Sequence, residues 1–335
     1  MSVISKEAPI SEAEMVAEAE RALADISRVR EGIGRVIFGQ EPVIERTLVA
    51  ILAGGHALLV GVPGLAKTKL VETLGVVLGM DSRRIQFTPD LMPSDILGSE
   101  VMDQDEQGRR SFRFIPGPIF AQLLMADEIN RASPRTQSAL LQSMQEYHVT
   151  VAGARHDLPS PFHVLATQNP LEQEGTYPLP EAQLDRFLMQ VDVLYPELEA
   201  ERRILLETTG VVEAKPQNVI DPVRLREIQT LIRRMPVPQS VVEAILALVR
   251  SARPGQGGAE TDKHIAWGPG PRASQALTLC ARARALYDGR LAPSVDDVHA
   301  LAEPVLQHRM ALTFAARAEG MHVRDVISRL VKAAG

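Results

Sequence analysis

The stretch Ala57–Leu78, ALLVGVPGLAKTKLVETLGVVL, decides how the rest of the chain is arranged. It begins with the short apolar run Ala57–Val60, which is the pattern of a buried parallel strand. The glycine-containing loop Gly61–Thr68 follows, and after it apolar residues recur at helical spacing until Gly79, a natural helix stop. The sequence therefore predicts a strand, a loop and a helix in direct succession.

A loop of this composition between a strand and a helix is suited to binding a polyphosphate. Its glycines let several backbone N–H groups turn toward one anion, and the following helix points its positive end at the same place. Lys67 can reach the terminal phosphates, and the hydroxyl of Thr68 can ligate Mg²⁺. The competing interpretation is an ordinary strand, turn and helix with a surface lysine. We predict that a nucleotide is held by Gly61, Val62, Pro63, Gly64, Leu65, Ala66, Lys67, Thr68 and Lys69.

One residue departs from the common G-x-x-x-x-G-K-[ST] pattern of phosphate loops. Ala66 stands where the second glycine belongs. Alanine carries no steric penalty at this place if the backbone φ angle is negative. Under that condition Ala66 is compatible with a phosphate loop.

A second chemical pattern lies in LLMADE, residues 123–128, where an apolar strand ends in two consecutive carboxylates. Asp127 can hold Mg²⁺ through its water shell, and Glu128 can orient and deprotonate an attacking water. An acidic pair after an apolar run also fits a solvated strand end. Its position downstream of a phosphate loop favours a nucleotide hydrolase.

Three further polar residues are candidates for the same chemistry. Asn169 follows a buried strand and can hold the attacking water or the γ-phosphate; a turn asparagine before proline is the alternative. Arg186 can supply the charge of an arginine finger to a neighbouring subunit, or it forms a local salt bridge with Asp185 or Glu181. Arg272, in the first turn of a later helix, can reach back to the phosphates across a domain boundary, or it is a solvated residue.

The pattern of the chain changes near Pro196, from alternating strands and helices to mostly helical segments. We predict three units: an N-terminal helix in residues 1–35 that ends near Glu31, an α/β nucleotide-binding domain in residues 36–196, and an α-helical domain in residues 197–335. The helices predicted in the last unit cover residues 197–209, 221–234, 240–252, 272–287, 294–306 and 323–334.

Two polar hairpins interrupt the α/β domain. Residues on either side of the polar turn 103–110 alternate in character over the segment 98–115, and residues 147–154 show a similar alternation. The polar tip of the first hairpin predicts an element that projects from the domain.

Bulk properties narrow the class of protein further. The chain has 335 residues, 45% apolar and 23% charged, which is ordinary for a soluble globular protein. Its net charge of −6 argues against a broad nucleic-acid surface, and its single cysteine, Cys280, excludes an intrachain disulfide. No apolar run is long enough to span a bilayer, and the N-terminus lacks the apolar core of a signal peptide. We therefore expect a cytoplasmic protein without membrane insertion.

The phosphate loop, the acidic strand end, Asn169, Arg186 and Arg272 stand in the order found in the AAA+ ATPases. The segments GVPGLAKT, LLMADEINRASPRTQSALLQSMQE, ATQNP, LPEAQLDRFLM and GPRAS resemble the MoxR family in particular, and the resemblance covers nearly the whole chain from Val36 onward. It implies an α/β P-loop NTPase fold of AAA+ type, with a parallel sheet core and a C-terminal α-helical lid domain. An alanine at the position of Ala66 is usual in that family.

The resemblance also implies a role for each candidate residue. The Walker A loop is then Gly61, Gly64, Lys67 and Thr68, and the Walker B pair is Asp127 and Glu128. Asn169 is sensor 1, Arg186 the arginine finger and Arg272 sensor 2, with Arg131 as the reserve candidate for the finger. The adenine is expected beside Ile37, Gly39 and Gln40.

The function that the resemblance implies is Mg²⁺-dependent ATP hydrolysis by a homo-oligomeric ring, expected to be a hexamer. Such proteins are similar to chaperones that remodel, mature or activate partner complexes, often with partners that carry a von Willebrand factor A domain. The alternative is a nucleic-acid-stimulated motor of helicase-like type, because helicase-like relatives share the two hairpins. Arg109 and Arg110 support it, but Asp103 and Asp105 in the same hairpin oppose it. A nucleotide-gated binding module that hydrolyses little is the third interpretation, against which the intact set of site residues argues.

Overall fold

The computed structural model of the chain describes residues 12–104, 110–172, 175–209 and 214–334. The tip of the first predicted hairpin, over residues 105–109, lies outside the described residues. The strands, in chain order, are β1 (Ala57–Val60), β2 (Ser82–Gln86), β3 (Gly98–Gln104), β4 (Arg110–Pro116), β5 (Leu123–Asp127), β6 (His148–Val151), β7 (Ala154–Asp157), β8 (His163–Gln168), β9 (Met189–Asp192), β10 (Ile265–Trp267) and β11 (Ala311–Leu312).

The helices surround the strands and form the second half of the chain. They are α1 (Glu12–Gly34), α2 (Glu41–Leu52), α3 (Lys67–Val77), α4 (Pro93–Leu97), α5 (Pro134–Glu146), α6 (Glu181–Leu184), α7 (Leu198–Thr208), α8 (Pro222–Arg234), α9 (Gln239–Ser251), α10 (Ala259–His264), α11 (Pro271–Tyr287), α12 (Val295–Leu306), α13 (Phe314–Ala318) and α14 (Val323–Ala334). Short 3₁₀ turns lie at Ile129–Arg131 and Gln307–Arg309.

The central sheet consists of parallel strands in the order β2-β5-β8-β1-β9. Because the strands are parallel, their carboxyl ends meet at one edge of the sheet. That edge receives the loop after β1, the acidic pair at the end of β5 and Asn169 after β8. The predicted α/β fold with a parallel sheet core and a helical domain is confirmed.

Both predicted hairpins are present. Strand β3 pairs antiparallel with β4, and β6 pairs antiparallel with β7. The rings of Phe114 in the first hairpin and His156 in the second stack with their centroids 3.8 Å apart. This contact ties the two hairpins to each other.

In the helical domain, the six predicted helices lie within one residue of their expected bounds. The short helices α10 and α13 and the two-stranded sheet β10–β11 were missed. None of these elements is long enough for its hydrophobic periodicity to show in the sequence.

Helix α1 packs against α3 and against α8 and α11 of the helical domain. Arg224 of α8 donates hydrogen bonds to Asp25, at 2.7 Å, and to Glu18, at 2.5 Å. The helix runs to Gly34 rather than ending near Glu31, because Ile33 in its last turn is fully buried in the core.

Two buried histidines fix the amino-terminal edge of the sheet. His56 Nδ1 accepts a hydrogen bond from the backbone N–H of Val164 at 2.9 Å, and Nε2 donates to the carbonyl of Met144 at 3.1 Å. His163 Nδ1 donates to the carbonyl of Gly55 at 2.8 Å. Both rings are therefore neutral structural groups.

We predict that these histidines make the protein less stable below pH 6.5. Burial, and then the neighbouring His163, lowers the pKa of His56 from 6.5 to about 3; burial lowers that of His163 to about 4. The unfolded chain then binds more protons below pH 6.5, so stability falls as the pH drops from 6.5 toward these values. At pH 5 the loss is about 2 kcal/mol for each histidine. Urea unfolding of the wild type and of His56→Gln at pH 7.5 and 5 checks this; an equal pH dependence in the two proteins contradicts it.

Candidate active site

A cavity of about 430 Å³ opens at the carboxyl edge of the sheet. It is lined by the phosphate loop from Pro63 to Lys69, by the acidic pair Asp127 and Glu128, and by Thr167 and Asn169. Sequence reasoning predicted all of these residues except Thr167 as parts of one site. The fold thus brings the loop, both carboxylates and the asparagine onto one cavity.

Ala66 does not meet the condition of a negative φ under which alanine carries no steric penalty. Ala66 has φ 56° and ψ 22°, in the left-handed region, and it is the residue from which α3 begins. The turn from the loop into the helix therefore imposes the conformation that the missing glycine would adopt freely. An L-residue pays roughly 1–2 kcal/mol there.

Ala66→Gly is therefore expected to raise the free energy of unfolding by about 1 kcal/mol, because glycine adopts a positive φ without strain. Gly64 provides the matched control, since its φ is 84° and an added Cβ would meet nothing within 4 Å. Gly64→Ala should therefore lower the same free energy by about 1 kcal/mol or more, through backbone strain alone. Urea denaturation measures both changes, and shifts of the same sign would contradict the argument.

Lys67 is held over the loop by the loop itself. Its Nζ donates hydrogen bonds to the carbonyls of Gly61, at 2.6 Å, and Val62, at 2.7 Å. Burial lowers the pKa of Lys67, whereas the charges of Asp127 and Glu128 raise it. The ammonium group thus lies within the field of both carboxylates at the mouth of the loop.

Asp127 is buried, and both of its carboxylate oxygens accept hydrogen bonds. Oδ1 accepts from the hydroxyl of Thr167 at 2.5 Å, and Oδ2 accepts from Nε of Arg84 at 3.1 Å. Thr68 lines the same cavity. One carboxylate and one hydroxyl are the hard oxygen ligands that Mg²⁺ takes when it keeps several of its waters. Asp127 and Thr68 therefore fit the magnesium site predicted for them.

Glu128 is oriented by two donors. Its Oε2 accepts a hydrogen bond from Nε2 of Gln86 at 2.8 Å and from the guanidinium of Arg131 at 3.0 Å. Its backbone N–H donates to the hydroxyl of Thr167 at 2.9 Å. In this arrangement Arg131, the reserve candidate for the finger, binds the carboxylate of its own chain.

Asn169 makes the contact of a turn asparagine and also faces the candidate site. Its Oδ1 accepts a hydrogen bond from the backbone N–H of Leu171 at 3.1 Å, as a turn asparagine does. The same side chain is buried and lines the phosphate-loop cavity. The turn therefore holds the amide at the wall of this cavity.

Beside the loop lies a smaller, mostly apolar cavity of about 110 Å³. Ile37, Gln40 and Leu65 line it from one side, and Ile204 of α7 from another. Gly39 is not among the lining residues. A Cβ on Gly39 would lie 2.1 Å from that of Ala200, so the glycine permits the close approach of α7. An apolar cavity next to a phosphate loop fits the flat face of an adenine.

Arg186 and Arg272 lie at the opposite edge of the sheet. With Arg233 and Asp185 they line a groove of about 300 Å³ beside His56, which precedes β1. The phosphate loop follows β1, whose four residues span about 13 Å. The expectation that Arg272 reaches the phosphates of its own chain is therefore not met, because α11 begins beside the amino-terminal edge.

The groove carries an excess of positive charge. Asp185 is the one acid among the described lining residues, and it pairs with Arg309 at 2.7 Å and Arg272 at 3.7 Å. No salt bridge of Arg186 to Asp185 or Glu181 is present in the described part of the chain, and its buried Nε has no hydrogen-bond partner there. Burial, and then the charge of Arg272, lowers the pKa of Arg186. The groove is thus suited to receiving an anion.

Comparison with known proteins places this geometry in a family. The sequence profile of the ATPase family associated with various cellular activities (AAA) matches residues 56–189, and that of the AAA lid domain matches residues 259–330. Chaperone MoxR1 of Mycobacterium tuberculosis is 42% identical over 315 residues, which are 93% of this chain and 81% of that protein. This chain belongs to the MoxR family of AAA+ ATPases.

Other members of the MoxR family support the same assignment. Protein MoxR of Methylorubrum extorquens is 30% identical to this chain, over 85% of this chain and 87% of that protein. A solved structure from Cytophaga hutchinsonii, assigned as an ATPase, superposes with a TM-score of 0.87 at 38% identity and covers 95% of this chain and 96% of that one. The helical domain of this MoxR-family ATPase is therefore an AAA lid. Across the described residues, no helix is both long enough and apolar enough to span a bilayer.

Sequence reasoning missed two residues that hold the carboxylates of the MoxR-family site. Arg84 and Gln86 lie on β2, which pairs with β5, and they contact Asp127 and Glu128 respectively. Their spacing of two residues places both side chains on one face of the strand. That spacing is visible in the sequence, but the order of the strands in the sheet, which gives it meaning, is not.

Proposed function

We propose that this MoxR-family ATPase hydrolyses ATP with Mg²⁺ in a homo-oligomeric ring, a hexamer, and acts as a chaperone that remodels partner protein complexes. The observation that carries the proposal is the division of the site between two edges of one sheet. Lys67, Asp127 and Glu128 line the cavity at the carboxyl edge, whereas Arg186 lines the groove at the amino edge. The name of the relative MoxR1 supports the chaperone role.

The reaction in this site needs charge neutralisation and one base. The loop N–H groups and Lys67 bind the phosphates of ATP, and Asn169 helps to orient the attacking water. Glu128 accepts a proton from that water as it attacks the γ-phosphorus, while the bond from that phosphorus to the β–γ bridging oxygen breaks and ADP leaves. Thr68 and Asp127 would hold Mg²⁺, which would supply further neutralisation of the phosphate charge.

A second copy of the chain is required to complete this site. Arg186 lies at the amino edge of the sheet and its own phosphate loop at the carboxyl edge, and the two edges are separated by the length of β1, about 13 Å. It can serve a nucleotide only in a neighbouring subunit, and Arg272 in the same groove would be presented with it. Such a head-to-tail contact, repeated, closes a ring.

The surface beside the nucleotide cavity also favours a subunit contact. Helix α7 has no buried residue, and its Leu198, Leu205 and Leu206 are 72%, 60% and 74% exposed. An apolar patch of this kind on a soluble protein marks an interaction site. In the proposed ring, this patch lies at the interface that also holds the nucleotide.

The experiment that tests the chaperone role is a pull-down from native cell extract with the Glu128→Gln variant held in ATP. A ring that hydrolyses slowly should retain the partner that it normally releases. We expect recovery of a protein with a von Willebrand factor A domain, or of another unassembled complex; this partner class is supported by the family resemblance. Recovery of nuclease-sensitive material instead would favour the helicase-like alternative. Arg131→Ala cannot replace Glu128→Gln in this experiment, because it removes the hydrogen bond of 3.0 Å from Arg131 to the Glu128 carboxylate.

A further inference from the structure

A buried arginine of the lid, Arg309, donates hydrogen bonds to the segment that carries Arg186. Arg309 is 2% exposed and lies in the 3₁₀ turn after α12. Its Nε donates to Asp185 Oδ1 at 2.7 Å, and its Nη2 donates to the carbonyl of Phe187 at 2.7 Å. A charge this deeply buried is tolerated only when its donors are satisfied.

These hydrogen bonds reach the backbone on both sides of Arg186. Nη2 of Arg309 also donates to the carbonyl of Asp185, at 3.2 Å, so the two carbonyls that flank Arg186 share one donor. The adjacent His308 donates from Nε2 to the carbonyl of Phe187 at 3.1 Å, and Gln307 donates to that of Gln190 at 3.1 Å. Three consecutive lid residues thus bind one short segment of the α/β domain.

Asp185 connects Arg309 to Arg272, the second arginine of the groove. Its Oδ1 accepts from Arg309, and its Oδ2 lies 3.7 Å from the guanidinium of Arg272. The buried Nε of Arg186 has no hydrogen-bond partner in the described residues. The lid therefore fixes the backbone on both sides of Arg186 and, through Asp185, contacts the side chain of Arg272.

We propose that Arg309 is a positioning residue for the ATPase reaction of the neighbouring subunit. By holding Asp185 and the carbonyls around Arg186, Arg309 fixes the positions of Arg186 and Arg272 in the groove. It also couples these positions to the lid. Movement of the lid in one subunit then changes the site of the next one. This inference rests on the proposed function, in which Arg186 completes a neighbour's site.

The test separates positioning of a neighbour's site from support of the local fold. Arg309→Met is expected to lower kcat at least tenfold, with the KM for ATP and the ring size unchanged, because its own phosphate loop is intact. Mixing Arg309→Met with Lys67→Ala subunits should restore activity, since the Lys67→Ala subunit supplies a correctly held Arg186. At a 1:1 ratio about a quarter of the head-to-tail interfaces combine the two intact halves.

A reference pair distinguishes failure of this inference from failure of the proposed function. If Arg186→Ala and Lys67→Ala subunits do not complement each other, the finger does not act between subunits and the proposed function fails. If they do, but the Arg309→Met pair does not, Arg309 has only a structural role and the inference is overturned. An unchanged kcat in Arg309→Met also overturns it.

Two further variants secure the result. If Arg309→Met does not fold, Arg309→Lys takes its place in the same mixtures, because it keeps the buried charge but loses the fork that reaches both carbonyls. It should show a smaller loss of kcat and the same restoration by Lys67→Ala subunits. Arg324→Met is the matched control: Arg324 pairs with Asp192 at 3.8 Å across the same boundary between lid and sheet, and its loss should leave activity unchanged.

Discussion

Glu128→Gln is expected to bind ATP as the wild type does and to lower kcat by about 100-fold or more, the usual loss when a general base is removed. Glutamine keeps the shape of the side chain, and its amide oxygen can still accept hydrogen bonds from Gln86 and Arg131, which hold Oε2 at 2.8 and 3.0 Å. It cannot accept a proton from water. The change therefore removes the base and leaves the rest of the site in place.

Phosphate release measures the loss of turnover, and a fluorescent nucleotide measures binding. Lys67→Ala is the complementary variant, expected to abolish ATP binding because it removes the ammonium group at the mouth of the loop. Gln86→Ala is the matched control, since it removes one donor to Glu128 and keeps the base, so its effect on kcat should be smaller. Wild-type turnover by Glu128→Gln, or tight nucleotide binding by Lys67→Ala, would contradict the assignment.

Local patterns in the sequence were sufficient for most of the fold and for one half of the site. The phosphate loop and the carboxylates at residues 127–128 follow directly from an apolar strand and its ending, so neighbours in sequence are neighbours in space. The positive φ at Ala66 does not follow from the sequence, because it depends on how the loop must turn to enter α3. The residue type at position 66 does not by itself reveal the φ angle that the loop requires there.

The features that sequence reasoning missed all depend on contacts between distant segments. Arg309 and its partner Asp185 are separated by 124 positions, and an arginine after a helix gives no sign that it will be buried. The position of Arg272 depends in the same way on how the lid packs against the sheet. The contact of Arg84 with Asp127 depends on the pairing of β2 with β5. Pairings of this kind are set by tertiary packing, which periodicity does not report.

Arg186→Ala is expected to leave ATP binding intact and to lower kcat by about 10³-fold or more, the effect of losing an arginine finger. The reason is geometric, because Arg186 lines the groove at the amino edge of the sheet, remote from its own phosphate loop. It can therefore stabilise the charge of the transition state only in the site of a neighbouring subunit. The measurement is ATPase activity in rings that mix Arg186→Ala with Lys67→Ala subunits in known ratios, where only an interface between one subunit of each kind holds both an intact loop and an intact finger. No activity at any ratio would exclude a role between subunits.

Arg131 provides the comparison that decides which arginine is the finger. Its guanidinium hydrogen-bonds Glu128 of its own chain, so Arg131→Ala damages the site of the subunit that carries it. Mixed with Lys67→Ala subunits, Arg131→Ala should therefore stay inactive, because every interface contains a defective base or an empty loop. Arg186→Ala in the same mixture should recover activity, because its loop and base are intact and its neighbour supplies the missing charge. The reverse result would make Arg131 the residue that acts between subunits, and Arg186 a local one.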